Sequence, residues 1–147
     1  MIQKGIIFDW IGTLYDKQNG IFPEARKVLL ALRPHYRLGL VSLAHHRKKR
    51  ESQLRESKLR NYFDAIIIAT KKTPDYYQWC MREMGSTPAT TTVVDDRITR
   101  GIAIGNQLGC TTCWIMNPKY ADEGPNEDYD PPHYSLHSLD GLLHILL

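Results

Sequence analysis

Five short apolar runs recur along this chain, four of them stopping at or just before a polar side chain, and a stretch of helical character separates each run from the next. The runs are Ile6–Phe8, Arg37–Ser42, Ala65–Ala69, Thr92–Asp96 and Thr111–Ile115, four of them rich in β-branched residues. They are too short for core helices and read as strands buried on both faces. Strands alternating with helices imply a parallel sheet with right-handed crossovers. The expected fold is therefore α/β, a Rossmann-like three-layer sandwich. Its central, mainly parallel sheet has five to six strands, with helices on both faces, and Tyr134–Leu136 is the candidate sixth, edge strand.

The intervening segments fit that plan. Leu14–Phe22 reads as a small hairpin with Asn19-Gly20 as its two-residue turn. Pro23 suits the first turn of a helix, and Ala25, Val28, Leu29 and Leu32 repeat at helical spacing until Pro34. Ala44–Arg50 is strongly basic and leads into a charged helix running to about Lys58, whose apolar positions are Leu54 and Leu59. The basic run reads as a solvated helix face. The competing reading is attraction of an anionic substrate near Ser42, close to His45 and His46. Adjacent histidines on a helix point about 100° apart, which argues against a metal site there. Pro74 opens another helix with a Tyr77, Cys80, Met81 and Met84 stripe that ends at Gly85, and Ile98–Leu108 reads as one further helix. Proline, glycine and acidic residues make 116–132 a long surface loop that either folds over the site or wanders, before a closing helix over 139–147.

A chain of 147 residues suits one domain, here 1–147 as a single unit. The net charge of +3 is too weak to indicate nucleic acid by itself. Three cysteines do not make a disulfide framework, and Cys110-Thr-Thr-Cys113 lies in a strand-like run without a second ligand pair, so the thiols read as buried. Neither a leader-type apolar run nor a membrane span is expected, which places the chain in the cytoplasm.

In a parallel sheet, strand ends share an edge, and that edge is where open α/β sheets bind ligands. Here it collects Asp9, Ser42, Lys71 or Lys72, and Asp95-Asp96. Carboxylates can hold Mg²⁺ through hard oxygens. A hydroxyl and an ammonium can bind a phosphoryl group that Asp9 attacks.

Asp9-Trp10-Ile11-Gly12-Thr13-Leu14 resembles the first motif, Asp-x-Asp-Gly-Thr-Leu, of the haloacid dehalogenase superfamily of aspartyl-nucleophile hydrolases. Nearly the whole chain follows the family's motif order. The resemblance implies Asp9 as nucleophile and metal ligand, with Gly12 and Thr13 beside it among the phosphate-binding residues. It implies Ser42, next to Leu43, as phosphate ligand, and Lys71 as the steadying lysine because Lys-x-x-Pro-acid-x-aromatic runs Lys71–Tyr77, with Lys72 as the fallback. Asp95 and Asp96 then hold the metal with Asp9 and the Ile11 carbonyl, although Gly101 stands where the family often has a later acid. The implied activity is Mg²⁺-dependent phosphatase chemistry on a phosphorylated substrate, a macromolecule included.

Ile11 departs from the pattern, since the family's second Asp protonates the leaving group and then activates water. A general acid contributes about 10²–10⁴-fold, so its loss attenuates turnover without abolishing it. Asp16, His45 or His46 are candidate substitutes. One alternative is a non-catalytic module that binds a phosphorylated ligand or a protein. Another is phosphonatase- or dehalogenase-like chemistry, because relatives with Asp-Trp-Ala-Gly-Thr or Asp-x-Tyr-Gly-Thr also lack this acid. Those relatives rely on an inserted cap, and the connections Thr13–Pro23 and Ala69–Pro74 are too short for one. The active edge should be open to substrate or covered by another subunit, so a homo-oligomer is compatible and a membrane is not implied.

Overall fold

The computed structural model describes residues 1–124 and 127–147. In chain order the elements are β1 (Gly5–Phe8), β2 (Tyr15–Asp16), β3 (Gly20–Ile21), α1 (Ala25–Leu32), β4 (Arg37–Leu43), α2 (Arg47–Ser57) and β5 (Ala65–Ala69). Then follow α3 (Pro74–Met84), β6 (Thr91–Asp95), α4 (Ala103–Leu108), β7 (Thr111–Ile115), β8 (Tyr134–Leu136) and α5 (Gly141–Leu146). Six strands form one sheet in the order β5-β4-β1-β6-β7-β8, and every pairing is parallel. The Rossmann-like expectation holds, with the edge strand at Tyr134–Leu136 included.

Alternation along the strands divides the core in two. Ile6, Phe8, Leu38, Leu40 and Val94 pack with α1, α5 and the Leu54–Leu59 part of α2 and its exit. Ile7, Val41, Ile67 and Val93 point the other way, onto Tyr77, Cys80, Met81 and Met84 of α3 and Ile104 of α4. The apolar stripes read from α1 and α3 are their buried residues. All three thiols are buried and free, and burial pushes Cys80 and Cys113 up to about 12 and Cys110 to about 11. They pack as small apolar groups.

Local side-chain chemistry moves several boundaries. The β2–β3 hairpin turns through Lys17–Asn19, with Asp16 opposite Gly20, rather than at Asn19-Gly20. The Asp16 carboxylate accepts from the Gln18 N–H and the Asn19 amide at 3.2 and 2.8 Å, and this Asx-type pair draws the turn toward Asp16. Residues 98–108 are not one helix. Ile98–Ile102 is a π-type turn broken at Arg100 (φ −122°, ψ −105°), and α4 begins only at Ala103. The loop after β7 folds into a 3₁₀ turn at Pro118–Glu123. Pro125, one of the residues behind the reading of a long loop over 116–132, lies outside the described residues. The final helix is shorter than 139–147.

The sheet order places the site. From central β1 the chain moves outward to β4 and β5, then returns to β1's other side for β6, β7 and β8. The reversal opens a crevice at the carboxyl ends of β1 and its neighbours. Residues 9–24, between β1 and α1, hold only the hairpin, and four residues join β5 to α3. No helix among the described residues is long and apolar enough to cross a membrane.

Candidate active site

Asp9 follows β1, Asp95 ends β6 and Asp96 comes next, so the crevice gathers all three carboxylates. One oxygen from each lies within 4.8 Å of the others, and all three residues are buried. A lysine answers this charge: Lys72 Nζ sits 2.7 Å from Asp9 Oδ1 and 2.8 Å from Asp95 Oδ2. The Lys72 side chain is only 3% exposed, whereas Lys71 is exposed and makes no contact with the cluster. Motif spacing favoured Lys71; the geometry selects Lys72. The loop from β5 to α3 is so short that consecutive side chains leave it in different directions, and only one faces the crevice.

The carboxylates are not equivalent. Asp95 is fully engaged: Oδ1 accepts from Arg97 N–H, and Oδ2 accepts from Lys72 and from Gly101 N–H at 3.1 Å. A Cβ at Gly101 would lie 2.2 Å from Asp95 Oδ2, so the acid at 95 fills the room a side chain at 101 would need. Asp96 is nearly bare, its Oδ2 accepting from Asn117 Nδ2 at 3.2 Å and its buried Oδ1 having no partner. Burial, then the charges of Asp9 and Asp95, push the Asp96 carboxyl up to about 9. Burial and Asp95 also raise Asp9, against the pull of Lys72. Burial opposes the Lys72 ammonium, but the Asp9 and Asp95 charges outweigh it and hold its pKa well above the usual range.

The Asp9 turn is built from backbone. Trp10 C=O accepts from the N–H groups of Thr13, Leu14 and Tyr15, and Thr13 Oγ1 donates to Asp9 Oδ2 at 3.2 Å. Gly12 has φ +88°, and a Cβ there would stand 2.0 Å from Asp96 Oδ2, so glycine satisfies both the left-handed turn and the close approach. Ile11 is half-buried, packs on the core and lines the crevice where the family's second Asp would stand.

The basic run contributes a residue that its reading as a solvated face passed over. Arg50 donates to Ser42 Oγ, to Leu43 C=O at 3.0 Å and through Nε to Gln53 Oε1 at 2.9 Å. Gln53 also accepts from the indole of fully buried Trp10 at 3.2 Å, so the motif tryptophan helps to set the arginine against Ser42. The spacing of Arg50 on the first turn of α2, just beyond Ser42, was the available signal.

Two clefts meet at Ile11, Lys17, Asp96 and Tyr120. The larger, about 570 Å³, has Asp9 and Lys72 inside it and includes Leu43, His45 and His46. The smaller, about 470 Å³, runs behind the hairpin past Gly12, Thr13 and Asp16. Of the candidate proton donors, His45 and His46 share the cleft of Asp9, and Asp16 does not. The loop after β7 does fold over the site. Asn117 reaches Asp96, Tyr120 lines both clefts, and Glu123 pairs with Arg97 at 2.6 Å.

The family model for haloacid dehalogenase-like hydrolases matches residues 9–115. The chain belongs to that family. Among curated proteins none matches it. The magnesium-bound orthorhombic form of YfnB from Bacillus subtilis is 26% identical with a TM-score of 0.72; the match covers 86% of this chain and 56% of YfnB. The chain thus spans little more than half of that protein's length. A HAD phosphatase from Thermococcus onnurineus (17% identity, TM-score 0.78) matches over 97% of both chains. A 2-haloacid dehalogenase from Pseudomonas syringae pv. Tomato DC3000 has the same identity and TM-score, over 99% of this chain and 98% of its own. A phosphatase and a dehalogenase share this fold equally, so the fold does not choose the chemistry.

Proposed function

We propose that this haloacid dehalogenase-like hydrolase is an attenuated, Mg²⁺-dependent phosphatase with Asp9 as nucleophile, working at an edge without an inserted cap. The observation that carries the reading is the unequal carboxylate cluster: Lys72 ties up Asp9 and Asp95, while buried Asp96 keeps an oxygen with no partner. A hard cation suits that orphaned oxygen and a site of carboxylate donors. Asp9, Asp96 and the Ile11 carbonyl would hold Mg²⁺, which would offset the negative charge shared by the phosphate and the carboxylates. Asp95 serves to hold Lys72 rather than the ion.

The chain's own groups divide the remaining work. Ser42, Arg50 and Lys72 bind the phosphoryl oxygens, and the Leu43 segment shapes the floor. An Asp9 oxygen forms a bond to phosphorus as the ester P–O bond breaks, and the leaving oxygen departs with that electron pair. Water then attacks the aspartyl phosphate, releasing inorganic phosphate and restoring Asp9. Ile11 supplies no proton to the leaving oxygen, so His45 and His46 are the donors within the cleft, and esters with acidic leaving groups should react best.

A turnover screen of aryl phosphates with Mg²⁺ tests the reading, with Asp9→Asn as control. Turnover that survives Asp9→Asn would sink the nucleophile assignment. Ile11 also favours a second reading, a non-catalytic module for phosphorylated ligands, and Mg²⁺ and phosphate binding without turnover would select it.

A further inference from the structure

The cleft above Asp9 is larger and more cationic than one phosphoryl group requires. Its volume of about 570 Å³ is within the roughly 300–1,000 Å³ typical of small-molecule sites. Six cationic side chains line it, against two carboxylates, Asp9 and Asp96. Three of the six are already engaged: Lys72 in the carboxylate cluster, Arg50 on Ser42, and Arg97 on Glu123 and over the Tyr120 ring at 3.9 Å.

The other three are Lys17, Lys49 and Arg100. They come from separate elements: the hairpin turn, the first turn of α2 and the broken turn before α4. All are exposed, and none has a side-chain hydrogen bond or ion pair among the described residues. Their charges converge on the cleft wall without a carboxylate to answer them. A solvated charge run would place its residues along one helix face; these reach the cleft from three directions, Lys17 standing where it joins the neighbouring one.

Building on the phosphatase reading, we infer that the substrate is a small molecule with a second anionic group, a phosphate or carboxylate, beside the phosphate that Asp9 attacks. Ser42, Arg50 and Lys72 take the reacting phosphate. Lys17, Lys49 and Arg100 take the second group. The cleft is bounded by the hairpin, α2 and the Tyr120 loop, which suits a compact ligand better than a polymer.

The test compares adenosine 5′-monophosphate with adenosine 3′,5′-bisphosphate, which differ by one phosphate. Both are measured by kcat/KM with Mg²⁺ and by calorimetric binding, in the wild type and in Lys49→Gln/Arg100→Gln. The wild type should prefer the bisphosphate by roughly tenfold, as expected for a few exposed charge contacts. The double variant should bring that ratio close to one, and raising ionic strength from about 0.05 to 0.5 M should shrink it in the wild type. Equal kcat/KM for the two nucleotides, with clear turnover of both, overturns the inference and leaves the phosphatase reading standing. No turnover, but bisphosphate binding that is tighter and sensitive to the double variant, removes the phosphatase reading and keeps the second-anion site. A 5′-phosphorylated oligothymidylate that binds more tightly than the bisphosphate assigns the cations to a polymer backbone and overturns the small-molecule inference.

Discussion

The floor and the rim of this active edge are built by different means. The floor consists of Asp9, Ser42, Asp95 and Asp96 at strand ends, with Lys72 one short loop away, and parallel register holds it in place. The rim consists of Lys17, Lys49, Arg50, Arg97, Arg100 and Tyr120, delivered by a hairpin, a helix turn, a broken turn and a loop. On the floor Asp9 and Asp95 are buried and paired with Lys72 while one oxygen of Asp96 has no partner, and three of the rim's five cations are exposed and unpaired. On the proposed function, reaction type belongs to the floor and substrate choice to the rim. Relatives with this fold can therefore be a phosphatase in one case and a dehalogenase in another.

The sharpest way to break this division is at Ile11, where the two parts meet. Ile11→Asp should raise turnover of alkyl phosphates by something within about 10²–10⁴-fold, and aryl phosphates less, because a supplied proton matters most to a poor leaving group. Steady-state kinetics on both classes provide the check. An equal gain for both would mean altered fit, and a circular-dichroism melt identifies a variant that has merely lost Ile11's packing on the core.

Removing the floor's cation comes next in size. Lys72→Ala leaves Asp9 and Asp95 buried without their partner and should cost about 3 kcal/mol of stability in metal-free protein. Lys71→Ala, at an exposed position one residue away, should change stability by less than about 0.5 kcal/mol. Chemical denaturation of the pair measures the difference, and equal costs would refute the assignment of Lys72 to the floor.

The last test is pH dependence. Asp96 is raised in the fold to about 9 from an unfolded value near 4. Between those values the native state binds more protons than the unfolded state, so metal-free stability should fall as pH rises through that window. Mg²⁺ needs the ionised carboxylate, so the Mg²⁺-dependent rise in thermal midpoint should grow from pH 6 to pH 8.5. Asp96→Asn should remove the Mg²⁺ trend and weaken the fall in metal-free stability, of which Asp9, also raised, keeps a share. If Mg²⁺ raised the midpoint of Asp96→Asn as much as that of the wild type, the ion would lie elsewhere.

Much of the floor was legible in the sequence. The short apolar runs ending at Asp9, Ser42 and Asp95-Asp96 led to the parallel sheet, and a parallel sheet brings strand ends to one edge. The buried stripes of α1 and α3 followed from spacing for the same reason: helix and strand periodicities are local properties of the chain. The choice between Lys71 and Lys72 was not local, since it turned on which side chain a short loop aims into the crevice. Nor was the turn of the hairpin, which Asp16 decided through its own hydrogen bonds.

Arg50 shows most clearly where sequence stops. In the chain it is one basic residue among four consecutive ones, Arg47–Arg50. Only the packing of α2 against β4, with Trp10 and Gln53 behind it, brings its guanidinium onto Ser42. The sequence by itself determined the fold class, the family and the carboxylates of the floor, because hydrophobic period and strand-end position are written within a few consecutive residues. The tertiary structure alone decided which lysine neutralises those carboxylates, that Asp95 fills the space beside Gly101, and which cations face the cleft, because each depends on distances between segments far apart in the chain.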